Sequence, residues 1–76
     1  MSDTPSITAR VSQAAIHFVT STYGFSVMQI LAEANLKQRP STYPLITVRQ
    51  AQHALDEMTR QGQLVKRAAG RFVWRQ

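Results

Sequence analysis

Residues 46–75 read ITVRQAQHALDEMTRQGQLVKRAAGRFVWR, and the grammar of this stretch decides the fold. Thr47 followed three residues later by Gln50 is a capping box, in which the hydroxyl takes a free amide of the first turn and the Gln side chain returns to the cap amide. Ile46 is placed to pack toward that first turn. Ala51, Ala54, Leu55 and Met58 then give the i, i+3, i+4, i+7 stripe of an amphipathic helix, and Gly62 is positioned to end it in a left-handed turn. The opposite face carries Arg49, Gln50, Gln52, His53, Asp56, Glu57 and Arg60. Beyond Gly62, residues 63–67 and 71–75 are short segments rich in Leu, Val, Phe and Trp. Ala68, Ala69 and Gly70 separate them, which predicts a hairpin closed by a short glycine turn.

Upstream, the same start signal occurs once more. Ser26 and Gln29 form a second capping box, and Phe25 with Ile30 makes the apolar pair that fixes the entry of the chain. A helix is therefore expected from Val27 through Met28, Ile30, Leu31 and Ala34 to about Leu36. Pro40 and Pro44 forbid its continuation, so the stretch up to about Ile46 is a loop. Before it, Val11, Ala14, Ala15, Phe18 and Val19 stand at helical spacing from about Thr8, and Gly24 supplies a stop. Residues 1–7 are poor in apolar side chains and are expected to form a frayed amino-terminal arm. The order is helix, helix, helix, strand, turn, strand, with no internal repeat. The expectation is an α+β domain over residues 8–76.

Seventy-six residues suffice for one domain with one core, and are few for a catalytic domain with a separate lid or cofactor fold. At 43% hydrophobic and 17% charged, the chain is far from the composition of disordered segments. With no cysteine, neither disulfides nor a thiolate zinc site can staple the core, which must rest on packing. The apolar runs are short and interrupted by Gln, Thr, His or Arg, so no membrane span or secretory signal is expected. A cytoplasmic protein is the plain expectation. No glycine-rich phosphate loop occurs, nor a His and carboxylate cluster at ligand spacing, nor a Ser with an evident base. His17 and His53 are too far apart in sequence to suggest a metal pair. An enzyme, a cofactor, a metal and a small-molecule substrate are therefore not expected.

Nine Lys and Arg stand against four Asp and Glu, a net charge of +5, and their placement says more than their number. After Glu57 no acidic residue occurs, whereas Arg60, Lys66, Arg67, Arg71 and Arg75 do. The carboxyl-terminal part is thus a basic block that suits an acidic partner, the bland alternative being a merely soluble surface.

Taken together, the capped start at Thr47, the stripe of Ala51, Ala54, Leu55 and Met58, and Gly62 followed by Leu64, Val65, Arg67 and an aromatic strand resemble the recognition helix and wing of bacterial winged helix-turn-helix regulators. With the two preceding helices the resemblance covers nearly the whole chain. It implies a three-helix winged helix-turn-helix with a carboxyl-terminal β-hairpin wing. In that family the third helix lies in the major groove and the hairpin touches the backbone or the minor groove. Carried over, Thr47, Arg49, Gln50, Gln52 and His53 would face base edges; Arg pairs bidentately with guanine and Gln with adenine. Lys66, Arg67, Arg71 and Arg75 would hold phosphates without reading sequence. The implied function is sequence-specific binding of double-stranded DNA by a small transcriptional regulator, a repressor of bacterial, plasmid or phage origin that is nucleoid-associated when bound. Self-association on DNA is common among such proteins.

Other roles stand beside these. Arg49 and Gln50 also suit a solvated helix face, and an exposed His53 needs no role. Trp74 is expected in the core, covering the third helix, with base stacking as the alternative. Asp56 and Glu57 suit pairing with Arg60. The loop of about ten residues between the second and third helices is longer than the usual turn of such domains, and its Lys37, Arg39, Ser41, Thr42 and Tyr43 are candidates for extra backbone contacts. A protein-interaction module of the same shape, acting as an inhibitor or assembly factor, is the alternative function.

Overall fold

The computed structural model describes residues 5–37 and 43–75. Helix α1 spans Ile7–Ile16, one residue ahead of the expected start, because Ser6 accepts a hydrogen bond from the Ala9 amide at 3.1 Å and so caps it. The helix does not run on toward Gly24. His17, Phe18 and Val19 donate to carbonyls three residues back, at 3.2, 2.9 and 3.1 Å, and the chain tightens into turns. That tighter winding advances each residue by about 120° rather than 100°. Val19 is therefore rotated out of the apolar stripe and is 53% exposed, while Phe18 still packs on the core.

Gly24 serves a different purpose from the expected helix stop. Its φ of +81° is open to glycine, and a Cβ there would collide with the Phe72 carbonyl oxygen and lie 2.7 Å from Val73 Cγ1. The close approach lets Phe25 and Phe72 exchange two backbone hydrogen bonds of 2.8 Å each. Helix α2, Val27–Ala32, starts at the expected capping box, with Ser26 accepting from the Gln29 amide at 3.4 Å and Gln29 Oε1 accepting from the Ser26 amide at 2.8 Å. It continues as a wider π-helical turn over Glu33–Lys37, so the helical course reaches past Leu36 but not as one regular helix.

Helix α3 spans Val48–Arg60 behind the Thr47 cap, where the reciprocal bonds with Gln50 measure 3.1 and 3.0 Å. The expected stripe of Ala51, Ala54, Leu55 and Met58 is buried. The helix ends with Gly62 at φ +86°, its amide donating to Thr59 and the Gln63 amide donating to Met58. These are the two bonds of a Schellman cap. Strands β1, Leu64–Lys66, and β2, Phe72–Trp74, pair antiparallel with Leu64 opposite Trp74, Val65 opposite Val73 and Lys66 opposite Phe72. Two further bonds, Arg67 N–H to Arg71 O at 2.7 Å and Arg75 N–H to Gln63 O at 3.0 Å, extend the pairing over the expected segments. Trp74 packs against the core as expected, and its indole N–H donates to Ala15 O at 2.7 Å, so the half-buried ring also reaches the end of α1. The indole needs a carbonyl acceptor when it leaves water, and the last turn of α1 supplies one.

Three helices followed by a two-stranded antiparallel hairpin make an α+β layout consistent with a winged helix. Among the described residues no helix is long and apolar enough to cross a membrane.

Candidate nucleic-acid interface

The polar face of α3 has an outward row and two flanks. At about 100° per residue, Arg49, His53, Asp56 and Arg60 project opposite the buried stripe, and all four are exposed. Arg49 and His53 make no hydrogen bond or ion pair among the described residues. Glu57 Oε1 sits 2.7 Å from Arg60 Nη2, as the pairing of Arg60 with its acidic neighbours led one to expect. Asp56 instead accepts from Gln52 Nε2 at 3.0 Å.

Of the five positions carried over as base readers, three are engaged within the chain. Thr47 Oγ1 and Gln50 Oε1 are committed to the capping box, which leaves Gln50 its amide nitrogen. Gln52 is half-buried and turned along the helix to Asp56. Gln50 lies on the flank toward α1, where Ile7, Thr8, Arg49, His53 and Ala54 complete an open, mainly apolar groove of about 360 Å³.

The start of α3 is held by two side chains that the sequence reading passed over. Asn35 donates through Nδ2 to Ile46 O and accepts the Ile46 amide at Oδ1, both at 2.9 Å. Arg10 donates through Nη1 to Pro44 O at 2.7 Å. Both grip the chain within three residues of the Thr47 cap. Arg10 does carry a sequence signal, since it stands one turn before Ala14 in the apolar stripe of α1, where a charge has to be explained. Asn35 carries none, because its partner is distant in the chain.

The basic residues of the hairpin divide by strand alternation. Lys66 shares the inner face with Phe72, its Nζ 6.0 Å from the ring centroid. Arg67, Arg71 and Arg75 share parity with Val65 and Val73 on the outer face, and all are exposed. Arg67 and Arg71 face each other across the base of the turn, joined by their backbone bond. Arg75 stands at the other end of β2, and together with Arg67 it lines a groove of about 390 Å³ against Thr20, Ser21 and Thr22. Of the residues expected in the loop, Lys37 instead closes the π-helical turn, paired with Glu33 at 3.7 Å, and Tyr43 has its ring centroid 5.2 Å from Arg10 Cζ. Arg39, Ser41 and Thr42 lie outside the described residues.

Among the described residues no group of three or more His, Cys, Asp or Glu is placed to hold a metal ion. Comparison of the chain with protein-family models, curated proteins and solved structures gives no significant match.

Proposed function

We propose that this chain is a sequence-specific double-stranded DNA-binding protein, a small transcriptional regulator that represses by occupying its site. The observation that carries the reading is the outward row of α3. Arg49 and His53 are exposed and uncommitted on a helix that is capped at both ends and anchored at its start by Asn35 and Arg10. A rigid helix presenting an Arg near its amino terminus suits the major groove, where guanine offers O6 and N7 to a bidentate guanidinium. The exposed arginines of the hairpin and the net charge of +5 suit phosphate contacts that position the domain. Steric occupation of an operator needs no catalytic group, cofactor or metal, and a repressor of this kind, of bacterial, plasmid or phage origin, works in the cytoplasm on the nucleoid, alone or self-associated on DNA.

Selection of bound sites from a random double-stranded DNA pool tests the reading. Recovery of a common motif supports it; a pool that stays random after repeated rounds, with no retention on DNA at low salt, overturns it. One feature favours a protein partner instead. Asp56 is exposed between His53 and Arg60, where a carboxylate would meet a phosphate backbone unfavourably. Loss of DNA retention at low salt is the outcome that reading requires.

A further inference from the structure

The outer face of the hairpin is the floor of a groove whose wall is the turn after α1. Val65 and Val73 face each other in the middle of that floor, Val65 exposed and Val73 half-buried, and Val19 stands exposed in the wall. Arg67 lies two residues beyond Val65 toward the hairpin turn, and Arg75 lies two residues beyond Val73 in the opposite direction. Four strand steps of about 3.3 Å put their Cα atoms roughly 13 Å apart along the ladder, with the valines between. Arg75 Nη1 lies 3.8 Å from where a Cβ on Gly62 would stand, which keeps this guanidinium at its own end of the ladder. Neither guanidinium makes a hydrogen bond or ion pair among the described residues, and the exposed hydroxyls of Thr20 and Thr22 make none either. The wall itself is fixed: Ser21 Oγ bonds the amide and the carbonyl of Gly24 at 3.2 and 3.3 Å, and Gly24 is pressed against Phe72 of β2. The groove of about 390 Å³ is therefore preformed, as ligand sites usually are. A guanidinium without an intramolecular acceptor loses little on turning to an anion, and the valines between the two gain from being covered.

We infer that this groove binds a small elongated dianion, with an anionic group at each end of an apolar middle, held by Arg67 at one end and Arg75 at the other. The middle lies on Val65 and Val73, and the Thr20 and Thr22 hydroxyls stand along the wall as further donors. The planar guanidinium fork matches a carboxylate at either end. A monoanion leaves one arginine unused, and a short dianion reaches only one of the two. The site does not rest on the DNA-binding reading. Where DNA also draws on Arg67, ligand and phosphate compete for one guanidinium.

The test is a titration of the ¹⁵N-labelled protein, without DNA, with sodium succinate, sodium sebacate or sodium nonanoate at neutral pH and matched ionic strength. The amide signals of Thr20, Thr22, Val65 and Val73 and the indole signal of Trp74 are followed. Sebacate is expected to shift them saturably. It should bind roughly tenfold tighter than succinate, which carries the same charge on a shorter body, and than nonanoate, which carries a single charge on a comparable apolar chain. Arg67→Gln and Arg75→Gln, each at an exposed residue, are expected to keep the folded spectrum and to bring sebacate down to the affinity of nonanoate. Equal binding of succinate and sebacate would show attraction to the net charge alone, and overturns the site. Nonanoate binding as tightly as sebacate, signals that drift without saturating, or sebacate affinity undiminished in either variant overturns it too.

Discussion

Gln50 holds its side-chain oxygen 3.0 Å from the Thr47 amide, so its removal is felt first by the start of α3. Arg49, beside it, makes no hydrogen bond or ion pair among the described residues. The two therefore separate in measurement. Gln50→Ala is expected to cost about 0.5–2 kcal/mol of stability, whereas Arg49→Ala stays within about 0.5 kcal/mol of the parent. On DNA the order reverses: Arg49→Ala should cost about 1–3 kcal/mol on the preferred site and much less on random DNA. Denaturant melts and fluorescence anisotropy read the two effects, and equal losses on both DNAs would remove Arg49 as a base reader. The capping role of Thr47 and Gln50 was legible because it depends on neighbours three residues apart. The same signal argues against giving those oxygens a second task, since an oxygen accepting a cap amide is less available to a base. Arg49 and His53 were legible as exposed from the stripe alone. Arg10 and Asn35 were not read, because their partners Pro44 and Ile46 come near only when the chain folds.

At the level of whole elements, the three glycines at positive φ have unequal standing. Gly24 is pressed against the Phe72 carbonyl and Val73, whereas a Cβ on Gly70, at φ +71°, meets nothing within 4 Å. Gly24→Ala is accordingly expected to destabilise by roughly 2–5 kcal/mol, combining the left-handed backbone cost with overpacking. Gly70→Ala should cost about 1–2 kcal/mol, the backbone term alone. Thermal melts ranking Gly70→Ala as the worse of the two would mean that the bridge between Phe25 and Phe72 is not formed as described. Leu55→Ala, in the centre of the α3 stripe, should cost about 2–5 kcal/mol, and a denaturant midpoint equal to the parent's would mean that the helix is phased wrongly. Elements whose ends are marked locally, such as α3 between its capping box and Gly62, were readable from sequence. The end of α1 was not, since Gly24 is spent on a contact with a strand near the other end of the chain.

For the molecule as a whole, the decisive quantity is where its excess positive charge meets a partner. Arg67 and Arg71 stand on the same face across the base of the hairpin turn, and no acidic residue follows Glu57 to compensate them. Like charges facing each other across a hairpin repel, so the pair gains most when an anion lies between or beside the two. The sequence made this juxtaposition legible, and the backbone bond between the two residues bears it out. It did not reveal that strand alternation sends Lys66 to the other face, or that Arg67 and Arg75 line one groove with Thr20, Ser21 and Thr22. If both tip arginines touch phosphate, each contact releases condensed counterions and contributes about 0.9 to the slope of log affinity against log salt. Changing both to Ala should then flatten that slope by roughly two units and weaken preferred and random DNA by similar factors, because phosphates carry no sequence. Both side chains are exposed, so the double variant is expected to melt within about 0.5 kcal/mol of the parent, which separates lost contact from lost fold. The measurement is a salt titration of binding to both DNAs by fluorescence anisotropy. A slope unchanged in the double variant would show that the hairpin stands clear of the DNA, leaving α3 to bind alone or the hairpin to meet a protein.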